Sequence, residues 1–273
     1  HYEAHIEHVY TDENGMSPEA LEEAINDMKS AGKTIKFLYL VPNFANPSGV
    51  TLSAERRPRI LEICKRNHIL VVEDNPYGLL YFDKPVPAAL RSMDDEGVVY
   101  LGSFSKILAP GFRVGYVLAP PAIRDKLVLA QESALLCPSS FSQMLISEFL
   151  AKSDWKGQVN TFRGVYKERK DAALAAMHDY LPGLETTRPD GGFYLWVTLP
   201  EGIDSKAMLP LAVKELVAYT PGTAFFGDGT GQKYLRVCYS FPTPENIRVG
   251  IKRLANVINL QTELLDTFSN KGH

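Results

Sequence analysis

Ile69-Leu70-Val71-Val72-Glu73 runs straight into Asp74-Asn75-Pro76-Tyr77-Gly78. A short apolar, β-branched run that ends on an acid and a turn reads as a strand buried on both faces. Two runs of the same kind flank it, Lys36-Phe37-Leu38-Tyr39-Leu40-Val41 before and Val98-Val99-Tyr100-Leu101-Gly102 after. Between the first two, Ser53 to Asn67 carries Ile60, Leu61 and Cys64 as a stripe behind a Ser53/Glu55 start, which predicts a helix. Strand, helix, strand with near-continuous apolar strands is the βαβ unit of a largely parallel sheet. Arg113 to Ala119 follows Val98–Gly102 with no room for a crossover helix, so it is expected to run antiparallel.

Beyond Ile123 the pattern turns helical: Ile123 to Leu136, Ser140 to Lys152, then a long stretch from Trp155 to Tyr180. Two β-like runs follow, Gly192–Val197 and Tyr234–Cys238, with a helical pattern at Met208–Ala218 between them. Pro244 to Leu265 places Ile247, Ile251, Leu254 and Ile258 on one helical face. The expectation is an α/β fold with a mixed, mostly parallel sheet, followed by a smaller α+β domain. The division falls between residues 1–156 and 157–273.

Composition removes several function classes. Lys plus Arg number 29 against 32 Asp plus Glu, a net charge of −3, so no electrostatic field gathers nucleic acid or anionic lipid. No apolar run approaches the ~18 residues of a membrane helix. Cys64, Cys137 and Cys238 are scattered and without CxxC spacing, which suits a reducing cytoplasm, where they are expected to behave as small buried hydrophobes. Six histidines show no ligand spacing, and no metal site is expected.

Four clusters sit where strands give way to loops, the place where open α/β sheets bind ligands. Pro42-Asn43-Phe44-Ala45-Asn46-Pro47-Ser48-Gly49 reads first as a turn. Glu73-Asp74 offers either a helix cap or a carboxylate held dry to keep a cationic partner protonated. Gly102-Ser103-Phe104-Ser105-Lys106, followed by Arg113 in a Gly-x-x-x-Gly loop, combines hydroxyls with a guanidinium, the donors a phosphate takes. An amine beside such a site is what a carbonyl cofactor needs. Arg236, in mid-strand, is expensive to bury unpaired and is expected to meet a carboxylate, from the protein or from a substrate.

The order of these motifs resembles the class I/II aminotransferases of pyridoxal-phosphate fold type I. The resemblance rests on Asn46-Pro47-Ser48-Gly49, Asp74-Asn75-Pro76-Tyr77, Ser103-Phe104-Ser105-Lys106 with Arg113, and the strand Arg236. Gly191–Trp196 and Pro221–Phe225 add to it. It implies pyridoxal 5'-phosphate as cofactor, with Lys106 as the lysine that carries it and moves the substrate proton. Asp74 is implied to face the pyridine nitrogen, and Tyr77 and Asn46 the phenolic oxygen. Ser103 and Arg113 are implied to hold the phosphate, with Ser105 beside them. Arg236 is implied to clamp the substrate α-carboxylate, with Asn46 also on the substrate side.

The implied activity is transfer of an amino group between an amino acid and a 2-oxo acid, in a cytoplasmic homodimer. The wording of these motifs is most similar to the 2-aminoadipate and broad-specificity aromatic group. A carbon–sulfur lyase of the same fold, and the cofactor-sensing domain of a transcription regulator, are the alternatives. The family carries a second phosphate loop and a ring-stacking aromatic upstream of Tyr10-Thr11-Asp12-Glu13-Asn14-Gly15-Met16. The chain is therefore expected to be a C-terminal portion holding a truncated large domain, with roughly five strands of its sheet.

Overall fold

The computed structural model describes residues 5–269, so both ends of the domain spans expected from sequence lie outside the described residues. The chain divides into two compact units. One comprises Val9–Ala45 and Val50–Arg163, the other residues 5–8, Asn46–Gly49 and residues 164–269. The change from one to the other along the chain falls inside the long helix Trp155–Tyr180.

The first unit opens on a small hairpin, β1 (Thr11–Asp12) and β2 (Gly15–Met16), and a helix α1 (Pro18–Ser30). Its sheet is four-stranded, in the order β3 (Phe37–Leu40), β4 (Leu70–Asp74), β5 (Val98–Ser103), β6 (Gly115–Leu118). The pairs β3–β4 and β4–β5 are parallel, and β5–β6 is antiparallel, as the missing crossover requires. Four strands replace the five or so expected among the described residues. Helix α2 (Arg56–Arg66) makes the β3–β4 crossover. It begins three residues later than Ser53 suggests, with Glu55 at its cap making no side-chain bond.

Alternation sorts the sheet's two faces. Leu38, Leu40, Val71 and Val98 point to a dry core with Leu21 and Ile25 of α1 and Ile60, Leu61 and Cys64 of α2. Glu73 points to the same side and is fully buried, and burial pushes its carboxyl pKa up. The opposite face carries Tyr39, Asp74, Leu101 and Ser103. There Tyr39 is 51% exposed. The edge strand β6 is exposed along its length, and helix α3 (Pro121–Leu135) buries none of its residues.

Asp12 ties the opening hairpin to α2. Its carboxylate accepts from Arg56 Nη1 at 2.6 Å and Nη2 at 2.8 Å, and Nη1 also donates to the Gly15 carbonyl at 2.7 Å. The bidentate bond to Arg56 holds the Asp12 pKa below the ordinary carboxylate value. A depressed folded-state pKa means stability that is complete above the unfolded value, ~4, and lost as pH falls through the folded one. Asp12→Ala is therefore expected to lower stability by about 1–2 kcal/mol at neutral pH, and by nothing in strong acid. Denaturant melts of both chains across that range measure the difference; a pH-independent gap would contradict the pairing.

The second unit holds a three-stranded antiparallel sheet, β7 (Tyr194–Thr198), β9 (Tyr234–Cys238) and β8 (Thr220–Pro221), with β9 central. Helix α4 (Ser140–Lys152), which belongs to the first unit, and the long helix α5 (Trp155–Tyr180), within which the division falls, stand where the pattern placed them. Helix α6 runs Ser205–Lys214, earlier than the Met208–Ala218 expected. Asp204 caps its start by accepting from Lys206 N at 2.7 Å and Ala207 N at 3.2 Å, and Leu216, at φ +57°, lies outside it. Helix α7 (Pro244–Ser269) closes the chain, burying Ile247, Ile251, Leu254 and Ile258.

Candidate active site

The acid pair at the end of β4 divides its labour by alternation. Glu73, on the core face, accepts from Leu90 N at 3.1 Å and Arg91 N at 2.9 Å, capping the short 3-10 turn Leu90–Ser92. Asp74 points the other way, and its Oδ2 accepts from the Tyr39 hydroxyl at 2.6 Å. Burial first, then the hydrogen bond to Asp74 and its charge, raise the Tyr39 pKa, so the phenol stays protonated and donates. Among the described residues the Asp74 side chain makes no other hydrogen bond, which leaves Oδ1 open to a second donor. The cap reading thus holds for Glu73, while Asp74, half-buried, meets a neutral phenol rather than a cation.

A buried polar chain fixes the turn after Asp74. Arg57 is fully buried and donates to the carbonyls of Leu52 and Ala88 and, at 2.7 Å, to Asn43 Oδ1. Asn43 Nδ2 passes on to Asn75 Oδ1 at 2.9 Å, and Asn75 Nδ2 to the Tyr100 hydroxyl at 3.1 Å. Asn75 Oδ1 also accepts from Gly78 N at 3.1 Å, closing the turn that carries Tyr77. Tyr77 is 5% exposed, so its position is set by packing.

Register brings Asp74 beside the third cluster. Asp74 pairs with Leu101, so Ser103 lies two residues further along the adjacent strand and on the same face. The Ser103 hydroxyl oxygen accepts from Ser105 N at 3.1 Å, which curls the chain and leads into Lys106. Ser103 pairs with Gly115 across the hairpin, and Phe104 N donates to Val114 O, which returns Arg113 to the same end of the sheet. Arg113 takes a left-handed conformation, φ +54°, that costs about 1–3 kcal/mol in a residue with a side chain. Such backbone strain concentrates at functional sites.

The charge here is uncompensated. Lys106 is half-buried, and among the described residues its amine makes no hydrogen bond or ion pair. Arg113 has one long contact, 3.4 Å to the Pro110 carbonyl, and no acid. Two hydroxyls, an amine and a guanidinium with no carboxylate bonded to them form a donor set for an anion.

The remaining residues meet in the other unit. Arg236, central in β9, donates through Nη1 to Asn46 Oδ1 and through Nη2 to Thr220 Oγ1 at 3.1 Å. Its guanidinium lies 4.2 Å from the Tyr194 ring centroid and 5.0 Å from that of Phe225. Of the two carboxylate sources expected, protein or substrate, the protein supplies none among the described residues: two neutral oxygens hold the group, so its charge remains available to an anion. The Asn46–Gly49 turn can approach because Gly49, at φ +73°, lacks a Cβ that would fall 2.8 Å from the Tyr194 carbonyl. Tyr39, Asn43, Arg57, Asn75 and Thr220 escaped sequence reasoning. Only the Asn-rich turn wording around Asn43 and Asn75 carried any hint of them.

The sequence model of the family described as aminotransferase class I and II matches residues 3–254. An aromatic-amino-acid aminotransferase of Thermococcus litoralis is 41% identical over 260 residues, 94% of this chain and 62% of that protein. A 2-aminoadipate transaminase of Thermus thermophilus is 36% identical over 251 residues, covering 90% and 62%. The crystal structure of a kynurenine aminotransferase of Pyrococcus horikoshii, in complex with PMP, KYN as substrates and KYA as products, superposes with a TM-score of 0.89 at 40% identity. That superposition covers 93% of this chain and 63% of the other. The chain thus spans a little under two thirds of the length of these relatives.

Proposed function

We propose, from the premise that this chain belongs to the class I and II aminotransferases, that it is the lysine-bearing part of a pyridoxal-phosphate transaminase acting on an amino acid and a 2-oxo acid. The observation that carries the reading is the donor set of Ser103, Ser105, Lys106 and Arg113, without an acid of its own, beside an Asp74 that keeps one oxygen open. That chemistry fits the cofactor: donors for a phosphate, an amine for an aldehyde, a carboxylate for a pyridinium. Bound there, pyridoxal phosphate supplies a carrier for the amino group and a sink for the electron pair left when Cα–H breaks.

The chain's own residues do the rest. Lys106 anchors the cofactor and moves the Cα proton, an amine being able to take it and return it. Asp74, through the oxygen left open, would hold the proton on the ring nitrogen, while Tyr39 on Oδ2 keeps the carboxylate from turning. By the family resemblance Tyr77, and likewise Asn46, would donate to the phenolic oxygen, and Ser103, Ser105 and Arg113 would hold the phosphate. Arg236, with Asn46 beside it, takes the substrate α-carboxylate, a group common to every amino acid, so this contact sets no side-chain preference.

The names of the relatives favour 2-aminoadipate or aromatic amino donors, or a broad range that includes both. A cytoplasmic homodimer belongs to the same proposal. Leu127, Val128, Leu129, Phe141 and Met144, all exposed, offer apolar surface of the kind such interfaces bury. The experiment is to load the whole protein with pyridoxal phosphate and assay amino transfer to 2-oxoglutarate from 2-aminoadipate, phenylalanine and kynurenine. Transfer from at least one is expected. A cofactor-loaded protein that transfers from none would overturn the reading.

A further inference from the structure

We infer that Thr220 is a positioning residue for carboxylate recognition, its hydroxyl holding the Arg236 guanidinium at the angle a two-oxygen substrate group needs. The inference rests on the carboxylate role proposed for Arg236. Thr220 stands directly opposite Arg236 in the β8–β9 register, so both side chains leave the same face of the sheet. The Thr220 oxygen accepts from Nη2, while Asn46 accepts from Nη1 on the other side. A guanidinium carries five N–H donors, two of them on each terminal nitrogen. One bond to each leaves one N–H per terminal nitrogen for a fork onto two oxygens.

Two acceptors on opposite nitrogens fix the rotation of the planar group, which a single acceptor does not. The rings of Tyr194 and Phe225 limit the remaining motion. Among the described residues Nε is buried with no partner, so the group cannot relax by presenting its side edge instead. Thr220 suits the task because a β-branched side chain in a strand is stiff at χ1. Because both acceptors are neutral, orientation is gained without cancelling the charge that attracts the substrate.

The test compares Thr220→Val, which keeps the shape and loses the hydroxyl, with Thr220→Ser, which keeps the hydroxyl, and with Arg236→Lys. Each is made in the whole holoenzyme. Steady-state kinetics with three amino donors are read beside calorimetric binding of an unreactive carboxylate, 3-phenylpropanoate. Thr220→Val is expected to raise KM for all donors and weaken the carboxylate by about fivefold, the effect of one hydrogen bond, with kcat within about twofold. Thr220→Ser is expected to restore both. An unchanged Thr220→Val, or a Thr220→Ser equally impaired, overturns the positioning role while Arg236→Lys still weakens every substrate. If Arg236→Lys leaves carboxylate binding intact, the reading of Arg236 itself falls.

Discussion

Lys106→Ala in the whole protein is expected to abolish transamination, with a loss of at least ~10³-fold in kcat. The amine leaves a buried strand through the Ser103–Ser105 turn, half-buried and without an acid or carbonyl partner. An ordinary structural lysine in such a place would be paired or fully in water. Removing it takes away the group proposed to anchor the cofactor and to move the Cα proton, two functions that fail together. Because the Lys106 amine makes no hydrogen bond or ion pair among the described residues, the melting temperature of the variant is expected to stay close to that of the parent. A variant that unfolds, or one that transaminates normally, would contradict the assignment in different ways: the first makes Lys106 structural, the second makes another amine the catalyst.

Asp74→Asn is the second large effect. The substitution keeps the shape of the side chain and its acceptor for Tyr39, but it removes the negative charge and puts an N–H where a lone pair stood. A loss of about 3–4 kcal/mol in transition-state stabilisation, roughly 10²- to 10³-fold in rate, is expected. Tyr39→Phe removes only the 2.6 Å bond to Oδ2 and leaves the charge, so its cost is expected to be about tenfold or less. The ordering of the two variants in kcat/KM is the check. If Tyr39→Phe proves as damaging as Asp74→Asn, the phenol is itself a reacting group. If Asp74→Asn is nearly silent, the carboxylate does not face the ring.

The sheet was legible where an unbroken apolar run marks a strand, as in Ile69–Val72 and Val98–Leu101, which became β4 and β5, although the face of β4 opposite the core is only half-buried. The antiparallel turn of β6 was legible for a different reason, the lack of chain for a crossover. Helix ends were less so. The apolar residues of Met208–Ala218 have helical spacing, but the start is fixed by a cap bond from Asp204, four residues upstream of that pattern.

In the candidate site, motif residues at strand ends were legible because local order brings Asp74, Ser103 and Lys106 together. What holds them was not. Tyr39 meets Asp74 across 35 residues of sequence, Asn43 meets Asn75 across 32, and Thr220 meets Arg236 across 16. Each is an ordinary strand or turn residue until the register is known. The expectation of a carboxylate beside Arg236 came from the cost of burying a charge. Asn46, Thr220 and two aromatic rings meet that cost with neutral groups, which is the arrangement a site for an external anion needs.

The central claim is that Lys106 carries the cofactor. Borohydride reduction of the whole, pyridoxal-phosphate-loaded protein fixes the cofactor to its lysine, and peptide mapping then locates the pyridoxyl group. The predicted result is a label on the peptide containing Ser103-Phe104-Ser105-Lys106, at Lys106. A label on any other lysine, or none on a protein that transaminates, would contradict it.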